Sequence, residues 1–215
     1  MKNLTYFFIF AFLISCAKQE LKLPLLQANN ATKEVYNNSA VWIFYSVKEK
    51  DTIAQLNQSN RIETTNWLFN IDRRLTLKQI YIPFKKLLEK RQKASPHHVD
   101  GLLNYFSFAD TLTHKVAFLP FNFKNIDYNY PLVNDTTSLN FTFYKQRFVF
   151  KNRLFLYSQL DSVMAKNLYI STNPVNIVCY FQESLDFEKY LTIKAQWVEM
   201  PYQKYLTNTT EYYFE

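Results

Sequence analysis

Glycine is almost absent from the sequence, since Gly101 is the only one among 215 residues. Phosphate-binding loops, dinucleotide fingerprints and nucleophile elbows need several glycines, where the backbone approaches a ligand or adopts a positive φ. The sequence therefore excludes nucleotide-binding motifs and hydrolase elbows of these kinds.

Cysteine is scarce as well, with only Cys16 and Cys179 in the chain. Cys179 alternates with Ile177 and Phe181 along an apolar run, which predicts a buried and inert thiol. Because Cys16 is assigned another role below, we expect no disulfide framework within one chain.

Aromatic residues are abundant, with 20 Phe and 16 Tyr, and 48% of the residues are hydrophobic. This composition predicts a folded chain with a large core. The formal net charge of +7 comes mostly from lysine, which accompanies many Asn, Ile, Phe and Tyr residues in a composition typical of AT-rich genomes. We therefore expect no nucleic-acid partner.

The first residues follow a targeting pattern. Lys2 precedes an apolar stretch from Leu4 to Ile14, which is too short for a permanent membrane span, and Leu13-Ile14-Ser15-Cys16 follows at once. This arrangement resembles the signal peptide and lipobox of bacterial lipoproteins. The resemblance implies that residues 1–15 are removed and that the thiol of Cys16 receives a diacylglyceryl group. An ordinary secretory signal with a chance cysteine is the alternative.

The residues after Cys16 bear on location. Ala17 stands where an aspartate retains proteobacterial lipoproteins in the inner membrane, so the resemblance implies the outer membrane of the cell envelope. Lys18-Gln19-Glu20 is similar to the charged stretch of surface-exported lipoproteins in the Bacteroidetes. Residues 16–39 show no sustained periodicity, and we predict that they form a tether.

Residues 40–126 are predicted to form an α+β unit. Val41–Val47 and Thr52–Leu56 flank a polar turn and predict a hairpin, and Trp67–Ile71 predicts a strand. The next apolar residues follow the stripe of an amphipathic helix, which Thr76 and Gln79 begin as a capping box; they are Leu77, Ile80, Tyr81, Phe84, Leu87 and Leu88. Pro83 inside this stripe predicts a kink or a delayed start.

Residues 139–215 are predicted to repeat this plan after a linker at 127–138. Leu139–Phe150 predicts a hairpin, Ser158–Lys166 a short helix capped by Ser158 and Asp161, and Asn176–Phe181 a strand. A shift of 110 residues places Asp186 on Thr76 and keeps most of the apolar stripe, although Lys194 falls on Phe84. The segment Leu191–Val198 also fits a strand, and chance similarity is the alternative to duplication.

We predict an α+β fold with antiparallel or mixed sheets, one or two helices on a face and a duplicated strand-hairpin-helix unit.

The strand, its terminal aspartate and the following helix resemble the periplasmic domain of the ExbD/TolR family of envelope energy-transduction proteins. The residues that carry the resemblance are Trp67–Lys86, chiefly Ile71-Asp72-Arg73-Arg74-Leu75, and Leu139–Tyr190 in the second half. Gln182 stands at the second copy's aspartate position. The resemblance implies a periplasmic partner of a transduction complex.

The histidines suggest an alternative function, a metal-dependent enzyme. His97, His98 and His114, with Asp100 and Asp110, contain enough nitrogen and carboxylate ligands for a metal-dependent envelope hydrolase. Their spacing fits no known metal motif, and Pro96 and Gly101 predict a solvated loop. We therefore expect no catalytic residue, no metal and no cofactor. The leading prediction is a lipid-anchored envelope protein that binds an assembly partner or a glycan such as peptidoglycan, with the hydrolase and the transduction partner as alternatives.

Overall fold

A computed structural model describes residues 20–57, 64–92, 101–122, 126–127, 138–168, 175–199 and 206–214. Cys16, His97 and His98 lie outside these ranges, as do residues 128–137 of the predicted linker. Within the described ranges, no helix has the length and apolar character that crossing a bilayer requires.

The first half is a mixed sheet with one long helix on its buried face. Its elements are β1 (Leu25–Leu26), β2 (Asn38–Lys48), β3 (Asp51–Asn57), β4 (Asn66–Ile71), α1 (Leu77–Gln92), β5 (Asn104–Asp110) and β6 (Val116–Phe121). The strand order is β1-β5-β4-β2-β3, and β6 also pairs with β5. The hairpins β2–β3 and β5–β6 are antiparallel, whereas β4 runs parallel to both β2 and β5.

The second half is a second mixed sheet. Its elements are β7 (Ile126–Asp127), β8 (Ser138–Phe143), β9 (Arg147–Phe150), β10 (Arg153–Leu156), a 3-10 turn (Tyr157–Gln159), α2 (Leu160–Leu168), β11 (Val175–Gln182), α3 (Phe187–Glu199) and β12 (Leu206–Phe214). The strand order is β10-β9-β8-β11-β12-β7, in which β11 runs parallel to both β8 and β12.

Four strands of each half share one topology. The order β5-β4-β2-β3 in the first sheet corresponds to β12-β11-β8-β9 in the second, with the same parallel and antiparallel pairs. The shift of 110 residues places β4 on β11 and α1 on α3. The predicted α+β class with mixed sheets is confirmed, and the ambiguous segment Leu191–Val198 is helical.

Local sequence explains where the helices begin. The N–H of Thr76 donates to Oε1 of Gln79 at 2.9 Å, and the N–H of Gln79 donates to Oγ1 of Thr76 at 3.3 Å. This reciprocal capping box starts α1 at Leu77, so Pro83 does not delay the helix. In the second half, the N–H of Lys189 donates to Oδ1 of Asp186 at 2.8 Å. Each main helix is therefore capped by a side chain at the same position of the repeat.

The halves meet at these two caps. Thr76 and Asp186 form an antiparallel bridge. The N–H of Leu77 donates to the carbonyl of Leu185 at 2.9 Å, and the N–H of Phe187 donates to the carbonyl of Leu75 at 2.7 Å. Because Leu75 and Leu185 are equivalent under the shift, the contact is related to itself by a pseudo-twofold axis, as in a symmetric dimer interface. A single cluster of buried apolar residues runs through both halves.

Two local predictions are wrong. The segment predicted as a tether is packed against the first sheet over its described part, where Leu26 and Ala28 are buried and Thr32 bonds to Phe118 at 3.0 Å. Its alternating apolar residues are too few to show a period in the sequence. The short helix begins at Leu160 instead of at a Ser158 cap, because a 3-10 turn precedes it and Gln159 accepts the N–H of Leu156 at 2.9 Å.

Candidate functional site

Of the residues proposed as a metal-dependent site, the structure describes Asp110 and His114, which lie in one turn, whereas Asp100 lies outside the described residues. Asp110 ends β5 and is buried, and its carboxylate organises the turn that follows. It accepts the hydroxyl of Thr113 at 2.7 Å, the N–H of Leu112 at 3.1 Å and the amine of Lys33 at 3.2 Å. The hydrogen bond from Thr113, then that from Leu112 and the nearby Lys33, lower the pKa of Asp110 to about 2.

His114 lies in the same turn but contributes its backbone. Its N–H donates to the carbonyl of Asp110 at 2.9 Å, its φ is 54°, and its side chain is exposed. Among the described residues, no three His, Cys, Asp or Glu side chains are placed to hold a metal ion. His97 and His98 lie outside the described residues, and so does the predicted lipidation site Cys16.

Asp72, which carries the resemblance to the envelope transduction family, is fully buried just after β4. It accepts the N–H groups of Lys22 and Arg74 at 3.1 and 3.0 Å, and the guanidinium of Arg74 at 2.8 and 2.7 Å. Burial acts to raise the pKa of Asp72, but the hydrogen bonds from Arg74 and the backbone of Lys22 outweigh burial and hold that pKa below its usual range. The carboxylate therefore fastens the N-terminal segment to the strand end.

Ionisable groups replace aromatic rings in the core of the second half. In the first half, Phe69 and Phe84 pack edge to face with centroids 5.4 Å apart, and Phe106 lies 6.1 Å from Phe84. The shift of 110 residues places Cys179 on Phe69 and Lys194 on Phe84. Glu211 is the equivalent of Phe106, because it pairs with Cys179 in the second sheet as Phe106 pairs with Phe69 in the first. From the sequence alone, only the replacement of Phe84 by Lys194 was visible, as a break in the apolar stripe of the helix.

Glu211 is the centre of this polar cluster. Its carboxylate binds the amine of Lys194 and accepts the hydroxyl of Tyr190 at 2.7 Å, and the hydroxyl of Tyr213 donates to that of Tyr190 at 3.2 Å. Burial, followed by the charge of Glu211, raises the pKa of Cys179 well above its ordinary value. The burial of Cys179 is as predicted from the sequence, and the raised pKa keeps the thiol protonated at neutral pH.

A surface pocket of about 610 Å³ lies where β9, β10 and α2 meet. The residues that line it are Phe150, Lys151, Arg153, Phe155, Gln159, Ser162, Val163, Lys166 and Asn167. Its volume is within the range of about 300 to 1,000 Å³ that is usual for ligand sites. Sequence reasoning missed it, because its residues come from a turn, an edge strand and one helix face that only the fold brings together.

The pocket has a rigid aromatic floor. Phe150 is 3% exposed and stacks on Phe141 with centroids 4.5 Å apart, and Phe155 stacks on Phe148 at 5.4 Å. Both phenyl rings are held by other rings of the second core, so the floor exists before any ligand arrives.

The rim of the pocket is cationic. Lys151, Arg153 and Lys166 are exposed around it, and no carboxylate is among the described lining residues. The amine of Lys151 donates to Oδ1 of Asn167 at 2.9 Å, whereas Arg153 and Lys166 have no ion-pair partner within the described ranges. Three positive charges above an apolar floor favour a ligand that has both an anionic group and a flat apolar face.

Apart from Phe150 of β9, the pocket is lined by residues from Lys151 to Asn167, a stretch whose strand β10 and helix α2 have no counterpart among the described elements of the first half. Residues 58–65 separate β3 from β4, whereas residues 151–174 separate the corresponding β9 and β11 and include β10 and α2.

Comparisons with protein-family models, with curated proteins and with solved structures give no match to this chain.

Proposed function

We propose that this chain is a lipid-anchored protein of the bacterial cell envelope that works by binding rather than by catalysis. The observation that carries the binding role is the basic, aromatic-floored pocket on the segment added to the second half. The lipobox at Leu13–Cys16 supports the anchor, since a mature lipoprotein carries two or three acyl chains and these hold a protein stably on a membrane.

The location proposed is the outer membrane, on the basis of Ala17 after the lipidated cysteine. The anchor confines the fold near the membrane surface, and the described part of the segment after Cys16 contacts the first half from Lys22 onward. The second half, with its pocket, presents a binding surface to envelope components. The occupant is a glycan or the exposed part of an assembly partner.

Cross-linking in living cells tests this proposal. The wild-type chain and Cys16→Ala are compared by mild cross-linking, affinity purification and mass spectrometry, with membrane fractionation in parallel. We expect a defined set of envelope components with the wild type, its loss with Cys16→Ala, and recovery of the wild type in the outer-membrane fraction. Cytoplasmic recovery of the wild type, or an identical set of neighbours for both chains, would contradict the proposal.

A second candidate is a periplasmic partner of a transduction complex. The arrangement that favours it is the strand, buried Asp72 and capped helix of the first half, which recurs in the second half with Gln182 at the aspartate position. Co-purification of the wild-type chain with inner-membrane subunits would support this candidate, whereas recovery only in the outer-membrane fraction would exclude it.

A further inference from the structure

We infer that the pocket between β10 and α2 binds an acidic saccharide, a sugar ring that carries a carboxylate. This inference rests on the proposed binding function and adds to it the site and the chemical class of its ligand. It follows from the charge of the rim, the nature of the floor and the neutral polar groups between them.

The rim supplies the charge complement of a carboxylate. Arg153 projects from the edge strand β10, and its planar guanidinium can donate two parallel hydrogen bonds to one carboxylate. Lys166 lines the same pocket from α2, and the amine of Lys151 donates to Asn167. A neutral ligand would leave this concentration of positive charge uncompensated.

The floor suits the flat apolar face of a sugar ring. The C–H groups of a pyranose pack on aromatic rings, and the ring that the floor offers is the partly exposed Phe155, beside Val163. Phe150 lies deeper, 3% exposed, with the amine of Lys151 5.2 Å from its ring centroid. Because stacked rings in the core already fix both phenyl groups, the ligand does not have to order them. A simple phosphate ion would make no use of this apolar surface.

Neutral polar groups also line the pocket, and sugar hydroxyls need such partners. The Oε1 of Gln159 accepts the N–H of Leu156, so its amide nitrogen is the end of the side chain that donates to a ligand. The hydroxyl of Ser162 donates to the carbonyl of Gln159 at 2.8 Å, and its oxygen keeps its acceptor capacity. One donor and one acceptor at the pocket match the dual character of a hydroxyl.

Calorimetric titration of the purified full chain in a neutral detergent tests the inference. The probes are a glucuronate-containing disaccharide, its methyl ester, a disaccharide containing muramic acid, and vesicles with anionic phospholipid. We expect at least one acidic disaccharide to bind, and the methyl ester to bind about tenfold more weakly or worse because its carboxylate charge is gone. Preference between the two acidic probes identifies the source as a uronate polysaccharide or the cell wall.

Charge reversal at the pocket provides the variants. Arg153→Glu and Lys166→Glu should each weaken binding about tenfold or more, while Lys145→Glu, an equal change of charge in an exposed turn outside the pocket, should stay within about twofold. Phe155→Leu keeps an apolar floor but removes a ring face, and it should weaken binding by less than charge reversal does. Near-ultraviolet circular dichroism of each variant confirms that the fold is retained.

Several results would overturn the assignment. They are equal binding of the acid and its methyl ester, binding that Arg153→Glu and Lys166→Glu leave unchanged, binding to the anionic vesicles alone, or no binding of either disaccharide. The experiments distinguish failure of the proposed location from failure of the proposed pocket. If the wild-type protein is cytoplasmic but binds the acidic disaccharide, only the location is contradicted. If it is in the outer membrane but does not bind, only the pocket is contradicted.

Discussion

At the scale of single residues, the two halves differ most in what fills equivalent core positions. Phe84 and Phe106 of the first half correspond to the buried pair Lys194 and Glu211 of the second. A buried ion pair must offset the cost of removing both charges from water, so it often adds little net stability compared with an apolar pair. Removal of one partner is different, because it leaves the other charge buried alone.

Lys194→Met should therefore lower the free energy of unfolding by about 3 to 5 kcal/mol, since Glu211 would lose its cation. The double variant Lys194→Phe/Glu211→Phe, which restores the residues of the first half, should be more stable than Lys194→Met. Urea denaturation measures both. A double variant that is as unstable as Lys194→Met, or less stable, would contradict the view that the sites are interchangeable.

Asp110 predicts a pH dependence with a definite sign. Its folded pKa of about 2 is below the unfolded value of about 3.9, so the charged carboxylate stabilises the fold above about pH 4, and this contribution is lost as the pH falls toward 2. Asp110→Asn should be less stable than the wild type at pH 6, and the difference should shrink between about pH 4 and pH 2. A difference that stays constant over that range would show that the carboxylate charge is not responsible.

At the scale of elements, the helix caps hold both the helices and the junction of the halves. Thr76→Ala and Asp186→Ala should each cost about 1 kcal/mol, because each leaves N–H groups in the first helical turn without their side-chain acceptor. Lys86→Ala on the exposed face of α1 is the control and should change stability little. Thermal or urea unfolding measures all three, and equal stability of Thr76→Ala and the control would contradict the capping assignment.

Elements with strong local signals could be predicted from the sequence. The hairpins at Val41–Leu56 and Leu139–Phe150, the helix after Thr76 and its repeat after Asp186 all occur as predicted. Strand partners could not be predicted, because the parallel pairing of β4 with β2 and β5 joins segments that no tight turn connects. The two-residue strand β1 is also too short to show a period of two.

At the scale of the whole molecule, the two halves share one core of buried apolar residues. The ring of Phe106 in the first half lies 5.4 Å from that of Phe187 and 6.2 Å from that of Tyr190 in the second. The guanidinium of Arg73 also pairs with Glu188 at 3.3 Å. These contacts, together with the symmetric backbone bonds at the caps, couple the stability of one half to the other.

Phe106→Leu should therefore shift the unfolding of both halves by about the same amount, roughly 1 kcal/mol for the lost ring contacts. Tryptophan fluorescence separates the halves, since Trp42 and Trp67 report on the first and Trp197 on the second. The backgrounds are Trp197→Phe for the first half and Trp42→Phe/Trp67→Phe for the second. A shift seen by the first-half reporters alone would show that the halves unfold independently.

The candidate site was less predictable than the fold. The lysine at position 194 was visible as a break in the apolar stripe, but its partner Glu211 lies on the strand β12 and gave no signal of its own. The pocket joins Arg153 of β10 to Lys166 of α2, and only the packing of that helix beside the edge strand brings their charges to one rim. Periodicity records which face of an element is buried, not which faces of different elements converge.

The most direct test of an envelope-anchored binding protein is the mass of its own N-terminus. The full chain is produced in a bacterial cell, recovered from membranes and measured intact and after proteolysis by mass spectrometry. The account predicts a mature chain that begins at Cys16 with a diacylglyceryl thioether, and its loss in Cys16→Ala. A chain that retains residues 1–15, with Cys16 as a free thiol, would contradict the account.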